Sequence, residues 1–264
     1  MSITVMISGS GKMGREVLRA VAAEPDMEPV AAVDLFATED HLPLPDGTGT
    51  VPCGTSATAL IARTQPDVIV DFTNADWTPK LAREALEAGI RLVIGTTGLS
   101  EDFVSELGAE CSRRGLGAVI APNFALGAVL MQHMARIGAR FYQHAEIIEM
   151  HHDQKADAPS GTSLATARGM AEARKTPFTR PPTHKETLSG TRGGESGGIT
   201  IHSVRLPGLV AHQAVIFGGQ GETLTIRHDS TGRESFMPGV MLAVREVMQR
   251  RELVVGLERL LGLA

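Results

Sequence analysis

The sequence contains few cysteines and few aromatic residues. It has only two cysteines, Cys53 and Cys111, with one tryptophan and one tyrosine. The cysteines lie far apart and form no Cys-x-x-Cys pair, which argues against a disulfide framework or a thiolate metal site and favours a reducing compartment. No apolar run approaches the roughly 20 residues of a membrane span, and the first residues lack a basic leader and a cleavage site. We therefore expect a cytoplasmic protein that binds no membrane.

Charge of either sign is also dispersed along the chain. Thirty acidic and 25 basic residues give a formal net charge of -5 at pH 7. Because no basic block is present that could follow a phosphate backbone, we expect no nucleic-acid partner. With 264 residues, 42% of them hydrophobic, the chain can form one large domain or two smaller ones.

Short apolar runs and helical segments alternate in the first part of the chain. Segments such as KMGREVLRAVAAE and SEDFVSELGAECSRRG have helical periodicity, and several helical segments end at glycine. This alternation predicts a doubly wound parallel α/β sheet. The apolar runs that we interpret as its buried strands are residues 3–8, 29–34, 67–73, 91–97 and 117–123.

The pattern changes after residue 123. A single apolar-striped helix is predicted over residues 125–141, and residues 175–198 form a loop rich in Pro, Gly and Thr. Three later segments alternate as antiparallel strands do, and a closing helix follows. They cover residues 199–205, 212–217 and 222–228, with the helix at 236–251. We predict one domain from residues 1–123 and 233–264, and a second α+β domain, with a mostly antiparallel sheet, from residues 124–232.

The hexapeptide GSGKMG follows the first predicted strand and opens a helix. Gly9, Gly11 and Gly14 have the G-x-G-x-x-G spacing, and Lys12 and Met13 lie between them. This spacing allows a tight turn and a close approach of a pyrophosphate to backbone N–H groups at the helix start. The first domain is therefore predicted to be Rossmann-like and to bind a dinucleotide.

Asp34 strengthens this prediction. It ends the second strand about 20 residues beyond the glycines, where a carboxylate binds the adenosine ribose. A plain turn residue is the alternative. No arginine follows Asp34 to pair with a 2′-phosphate, which favours NADH, although Lys12 could reach such a phosphate. We expect NADH, or use of both NADH and NADPH.

The stretch EIIEMHHDQKADAPSGTS places polar residues where a strand ends and a helix begins. His151 and His152 point to opposite faces of a strand, which disfavours a shared zinc ion, and we expect no metal. The sequence leaves open which histidine acts on a substrate. Lys155 offers a cation, and Gly161 and Thr162 offer free N–H groups at the helix start. Together these groups suggest a small dicarboxylate substrate.

Two more motifs follow predicted strands. They are GTTG, residues 95–98, and APNF, residues 121–124. Each alone is as compatible with a turn as with a ligand site. Because the carboxyl ends of parallel strands face the ligand crevice of a doubly wound sheet, together they predict a nicotinamide pocket.

The combined motifs resemble those of the dihydrodipicolinate reductase family of lysine biosynthesis. The resemblance rests on GSGKMG, DFT, GTTG, APNF, EIIEMHHDQKADAPSGT and GETLTIRHDS, and it spans nearly the whole chain. It implies an NAD(P)H-dependent reduction of a cyclic unsaturated imine, formed when 4-hydroxy-tetrahydrodipicolinate loses water. It also implies a homotetramer built through the sheet of the second domain, which would bind the substrate.

The resemblance assigns roles to individual residues. His151 matches the proton donor, and His152, Lys155, Gly161 and Thr162 match groups that bind the substrate carboxylates, with Lys155 also orienting the ring for catalysis. The residues implied for the cofactor are Gly9, Gly11, Lys12, Met13, Gly14, Asp34, Phe72, Gly95, Thr96, Thr97, Ala121, Pro122, Asn123 and Phe124.

Two other functions compete with this interpretation. One is an NAD-dependent amino-acid dehydrogenase of similar architecture, which would not need the His-His-x-x-Lys cluster. The other is a regulator that senses NADH without turnover, which would need a DNA-reading or partner-binding element that the sequence does not suggest.

Overall fold

A computed structural model describes residues 2–263. They form thirteen strands and eight α-helices. The strands are β1 Ile3–Ser8, β2 Met27–Val33, β3 His41–Pro43, β4 Thr50–Gly54, β5 Val68–Asp71, β6 Arg91–Ile94, β7 Ala118–Ile120, β8 His144–His151, β9 Gly194–Ser196, β10 Ile199–Arg205, β11 Ala211–Gly219, β12 Glu222–Ser230 and β13 Leu253–Val255. The helices are α1 Lys12–Ala23, α2 Ala57–Thr64, α3 Thr78–Glu87, α4 Glu101–Arg114, α5 Leu126–Gly138, α6 Gly161–Glu172, α7 Met237–Val247 and α8 Leu257–Leu260.

The chain divides into two compact units. The first contains Met1–Ala125 and Phe236–Ala264, and the second contains Leu126–Ser235. The corresponding boundaries predicted from the sequence lie after residues 123 and 232. The second unit is therefore inserted into the first along the chain.

The first unit is built on an eight-stranded sheet. Its order is β13-β7-β6-β5-β1-β2-β4-β3, and every pair is parallel except β3 with β4. The chain runs from β1 to β2 on one side and later reaches β5 on the other side of β1. This reversal is the point at which doubly wound sheets bind ligands. The predicted Rossmann-like parallel sheet is confirmed.

Local sequence explains where the helices of this unit begin and end. At α4, the Ser100 hydroxyl accepts a hydrogen bond from Phe103 N–H, and Gly115 ends the helix with φ of +65°. Acidic residues occupy the first turn and arginines the last, which complements the helix dipole. The buried residues of α3 and α4, including Leu81 and Leu107, pack in one core with strand residues such as Ile69.

The second unit has a five-stranded sheet of order β12-β11-β8-β10-β9. Its pairs are antiparallel except β8 with β10, which are parallel. The predicted mostly antiparallel sheet is confirmed, and its one parallel pair joins β8 to residues 199–205, a segment that alternates as antiparallel strands do. Between β8 and β10 the chain crosses over through α6, and such a connection returns it to the same end of the sheet. Alternation of apolar residues cannot distinguish the two directions.

Helices α5 and α6 share a buried core with this sheet. Ala135 and Met170 from the helices pack with Ile147, Val215 and other apolar strand residues. A Cβ atom on the glycine that ends α5, Gly138, would lie 2.9 Å from the ring of Phe217, so the lack of a side chain permits close packing there. The apolar residues on this face of the sheet are therefore buried.

Several short elements were not predicted. They are β3, β4, α2, β9, β13 and α8, none longer than eight residues. Such segments carry too few repeats for periodicity to identify them. None of the helices within residues 2–263 combines the length and the apolar character that crossing a bilayer requires.

Candidate active site

The glycine motif forms a tight turn between β1 and α1. Gly9 has φ of +98°, and a Cβ on Gly14 would lie 1.7 Å from the Gly9 carbonyl oxygen. Any side chain at Gly14 would therefore force the turn apart. A Cβ on Gly11 would meet nothing within 4 Å, so the start of α1, with Lys12 and Met13 as its first residues, borders open space. This geometry fits a pyrophosphate at the helix start.

Asp34 lies directly after β2 and beside this turn. Its Oδ2 accepts hydrogen bonds from Ser10 N–H at 2.7 Å and from the Ser10 hydroxyl at 2.6 Å, and its Oδ1 accepts one from Phe36 N–H at 2.9 Å. Partial burial raises the pKa of Asp34, but these hydrogen bonds outweigh burial and hold the pKa below its ordinary value. Asp34 is thus a fixed anion next to the glycine turn.

Three residues predicted for the nicotinamide end pack together. The rings of Phe72 and Phe124 have centroids 5.6 Å apart. A Cβ on Gly95 would lie 2.1 Å from the Phe72 ring, so the ring can occupy this position only because residue 95 is glycine. The carboxyl ends of β5, β6 and β7 are joined here by an aromatic contact.

The other predicted residues in these loops have different environments. Thr96 is buried: its hydroxyl donates to Asp71 Oδ2 at 2.9 Å and accepts a hydrogen bond from Thr73 N–H, which ties two strand ends together. Thr97 and Pro122 are exposed, Ala121 is buried, and Asn123 Oδ1 accepts a hydrogen bond from Ala125 N–H at 2.9 Å. Thr96 therefore stabilises the loop through buried hydrogen bonds.

In the second unit, His151 is the last residue of β8 and is bonded to a buried carboxylate. Its Nδ1 lies 2.5 Å from Glu149 Oε2, and Glu149 has no exposed side-chain surface. Arg205, at the end of β10, donates to both oxygens of Glu149, at 2.9 Å and 2.8 Å. Burial lowers the pKa of His151 below its ordinary value, and the hydrogen bond to Glu149 opposes this only in part.

The segment after β8 presents the remaining predicted groups. His152 is exposed, and Lys155 Nζ lies 2.6 Å from Asp157 Oδ1. The Ser160 hydroxyl caps α6 by accepting a hydrogen bond from Ser163 N–H. Gly161 and Thr162 are then the first two residues of α6, where N–H groups have no partner within the helix. The lysine and the helix start supply positive potential within one short segment.

Comparison with known proteins identifies the family. The chain matches the model of the dihydrodipicolinate reductase N-terminus over residues 3–124 and that of the C-terminus over residues 127–261. The chain belongs to the dihydrodipicolinate reductase family. The family predicted from the sequence is confirmed.

Individual relatives agree with this assignment. A 4-hydroxy-tetrahydrodipicolinate reductase of Dehalococcoides mccartyi is 48% identical over 99% of both chains, and one of Geobacillus kaustophilus is 48% identical over 99% of this chain and 100% of its own. A solved dihydrodipicolinate reductase of Paenisporosarcina sp. TG-14, with dipicolinate bound, matches with a TM-score of 0.88 and 44% identity over 98% of this chain and 99% of its own. An amine dehydrogenase of Mycobacterium smegmatis, at 13% identity and a TM-score of 0.68, shares the fold.

These matches confirm that this dihydrodipicolinate reductase family member is an oxidoreductase of lysine and diaminopimelate biosynthesis that uses NAD(P)H. Within residues 2–263, no three His, Cys, Asp or Glu side chains are grouped so as to hold a metal ion.

The structure of this reductase also reveals three polar residues that the sequence analysis did not select. Ser10 binds Asp34, Glu149 binds His151, and Arg205 binds Glu149. Glu149 could have been found, because side chains two residues apart on a strand share a face. Arg205 could not, because its position beside β8 depends on the strand pairing.

Proposed function

We propose that the chain reduces the cyclic imine, formed when 4-hydroxy-tetrahydrodipicolinate loses water, to tetrahydrodipicolinate, with His151 donating a proton to the ring carbon next to the one that accepts hydride. When bound, NAD(P)H supplies the hydride. The observation that carries the proposal is the His151 ring, bonded through Nδ1 to buried Glu149 and followed by a segment that contains Lys155 and the start of α6. Its Nε2 has no hydrogen-bond partner among residues 2–263 and can present a proton to a ligand.

Lys155, Gly161, Thr162 and His152 are proposed to hold the two carboxylates of the substrate. A ring dicarboxylate is supported by the dipicolinate that is bound to the Paenisporosarcina relative. Lys155 is paired with Asp157, which is 58% exposed. An exposed ion pair contributes little stability, so a substrate carboxylate can replace Asp157 at small cost. The N–H groups of Gly161 and Thr162 add donors aligned with the helix dipole.

A substitution at Lys155 tests this part of the site. We expect Lys155→Ala to raise the substrate KM about tenfold or more, with a smaller change in kcat, because the lysine orients the substrate and does not transfer the proton. Steady-state kinetics measure both constants. Asp157→Asn is the matched control, since it removes the partner of Lys155 and should not weaken substrate binding. A larger loss in kcat than in KM would contradict the assigned role.

The proposed cofactor preference is NADH, or dual use. Asp34 carries a negative charge close to the turn that would receive the pyrophosphate, and the neighbouring residues Leu35 and Phe36 supply no cation. A carboxylate accepts hydrogen bonds from ribose hydroxyls but repels a 2′-phosphate. Lys12, exposed at the start of α1, is the group that could admit NADPH. The predicted residues around Phe72, Gly95 and Phe124 would shape the nicotinamide end.

We also propose that the chain assembles as a homotetramer through the second unit. Exposed apolar side chains form a stripe along α5 and the residues just after it, at spacings of three and four residues. These are Leu130, Met134, Ile137 and Phe141, the last 75% exposed. Contiguous apolar surface of this kind is typical of a subunit interface. Sedimentation velocity should give the mass of four chains, and a monomer would exclude the assembly. The location in the cytoplasm stays a prediction.

The decisive experiment follows nicotinamide absorbance with purified protein, NADH and NADPH in parallel, and substrate generated from pyruvate and aspartate semialdehyde by a synthase. Rapid oxidation that requires the substrate supports the proposal, and the ratio of the two rates gives the cofactor preference. A folded protein that binds dinucleotide but oxidises neither would overturn the proposed function.

A further inference from the structure

Glu149 and Arg205 form an ion pair whose carboxylate contacts His151. This pair has no assigned role in the proposed reaction. We infer that they are positioning residues, which fix the tautomer and the orientation of the His151 ring for proton transfer. The inference rests on the proposed role of His151. It concerns the second unit alone, where all the contacts lie.

The Glu149 carboxylate has little freedom to move. Its Oε2 lies 2.5 Å from His151 Nδ1 and 2.9 Å from an Arg205 nitrogen. Its Oε1 accepts from the other Arg205 nitrogen at 2.8 Å and from Ser160 N–H at 3.3 Å. Because the carboxylate is fully buried, these protein donors replace water. A planar guanidinium that binds both oxygens also fixes the plane of the carboxylate.

This arrangement determines which nitrogen of His151 carries the reactive proton. An ionised carboxylate can only accept hydrogen bonds, so Nδ1 of His151 must be the donor to Glu149. The proton that leaves the imidazolium is then the one on Nε2, and the neutral ring that remains is already the Nδ1–H tautomer. Proton transfer therefore requires no rotation of the ring.

Arg205 also balances the charge near His151. The charged groups that face the ring are Glu149 on the same strand, Arg205 on β10, and Lys155 in the following segment, with Asp157 paired to that lysine. The position opposite His151 on β11 is Ala211, which carries no charge. Glu149 favours the imidazolium, whereas Arg205 and Lys155 disfavour it. Burial is the largest cause of the lowered pKa of His151, and Arg205 adds to it by offsetting part of the effect of Glu149.

Arg205 further connects the ring to the substrate-binding segment. One of its nitrogens donates to the Asp157 carbonyl oxygen at 2.7 Å, and Asp157 is the partner of Lys155. The same carboxylate that binds His151 accepts from Ser160, which caps α6. One ion pair therefore contacts the proton donor and two residues, Asp157 and Ser160, of the segment that would bind the carboxylates.

The inference predicts that substitutions of Glu149 and of Arg205 shift the pKa of His151 in opposite directions. Glu149→Gln removes a charge that favours the imidazolium, so the pKa of His151 should fall. Arg205→Gln removes a charge that disfavours it, so the same pKa should rise. Both variants should lower kcat by about tenfold or more, a part of the ~10²–10⁴ that general acid catalysis contributes. Arg205→Lys keeps the charge without the two-point contact and should recover part of kcat.

Nuclear magnetic resonance of protein labelled at histidine with ¹⁵N and ¹³C provides a readout that is independent of turnover. The His151 signals are assigned by their absence in His151→Gln, and their titration gives the pKa and the tautomer. The Nδ1–H tautomer is expected in the native protein and a mixture in Glu149→Gln. The matched control is Glu146→Gln on the other face of β8, where Glu146 contacts His202 and Arg192. It should leave the His151 titration unchanged.

Two outcomes separate this inference from the proposed function. Unchanged tautomer and pKa in the Glu149 and Arg205 variants, or shifts of the same sign, would overturn the inference. Normal turnover of His151→Gln would instead overturn the proposed proton donor. If either single variant fails to fold because a buried charge loses its partner, the double variant Glu149→Gln with Arg205→Gln leaves no such charge. A single Nδ1–H tautomer in that variant would overturn the inference.

Discussion

Both faces of β8 carry a glutamate bonded to one histidine and one arginine, but the two clusters differ in burial. The inner cluster consists of Glu149, His151 and Arg205, whose side chains are 0%, 14% and 19% exposed. Since the sheet face beneath it packs against α5 and α6, the carboxylate has no contact with water. Its three partners are all protein groups, and its charge acts at close range in a medium of low dielectric constant.

The outer cluster consists of Glu146, His202 and Arg192, whose side chains are 33%, 26% and 30% exposed. His202 uses Nε2 to contact Glu146, at 2.8 Å, and its Nδ1 faces Gly193, where a Cβ would lie 2.9 Å away. His151 instead uses Nδ1 and leaves Nε2 free. The two clusters thus contain the same residue types. Only in the inner cluster is the carboxylate fully buried and Nε2 of the histidine without a hydrogen bond to the described residues.

The sharpest test of this comparison replaces each histidine by glutamine. We expect His151→Gln to lower kcat by ~10²–10⁴, the usual contribution of a general acid, with a much smaller change in substrate KM. His202→Gln should leave both constants within about twofold, because His202 contacts Glu146 on the other face of β8 from His151. Steady-state oxidation of NADH measures both. Comparable losses in the two variants would show that the free Nε2 is not what distinguishes the clusters.

Replacing the arginine of each cluster compares how much the two ion pairs contribute to the free energy of unfolding. Arg205→Met leaves the Glu149 carboxylate buried with a lost ion pair, and removing one partner of a buried pair usually costs about 3–5 kcal/mol. Arg192→Met should cost less than about 1 kcal/mol, because water can reach Glu146. Urea denaturation gives the free energy of unfolding of each variant. Adding Glu149→Gln to Arg205→Met should restore part of the stability, and equal losses for the two arginines would contradict the difference in burial.

Much of the first unit could be predicted because its signals are local. The strands before and after GSGKMG are short apolar runs, and the glycines are required by the turn itself, as the 1.7 Å approach at Gly14 shows. Asp34 follows from its distance along the chain. The buried role of Thr96 could not be predicted, since its contact with Asp71 depends on two neighbouring strands and not on the GTTG motif.

For the candidate site of the second unit, the sequence predicts only the proximity of residues that are close together in the chain. His151, Lys155 and Gly161 lie within eleven residues of one another, so their proximity is visible in the sequence. Arg205 is far away in the sequence and reaches Glu149 because β10 pairs in parallel with β8. The direction and register of that pair are set by the crossover through α6, which the alternation of apolar residues does not encode.

The smallest expected effect is the pH dependence of stability. Burial holds the pKa of His151 below its ordinary value of about 6.5, so between pH 7 and 5 the unfolded chain binds a proton more readily than the folded chain. This contribution to stability is present above pH 6.5 and is lost as the pH falls. His151→Gln should therefore flatten the slope of unfolding free energy between pH 7 and 5, by up to about 1.4 kcal/mol for each unit of pKa lowering.

Glu146→Gln provides the outer-cluster control for this slope. Burial raises the pKa of Glu146, but hydrogen bonds from His202 and Arg192 outweigh it, so the folded pKa lies below the ordinary value of about 4.3. The stability that Glu146 contributes is present above pH 4.3 and is lost only as the pH falls through the folded pKa. Replacing it should change the pH dependence below pH 4.3 and leave the slope between pH 7 and 5 as in the unmodified protein. Urea midpoints at pH 7, 6, 5 and 4 distinguish the two windows, and an unaltered slope in His151→Gln would show that the ring is not held in its neutral form.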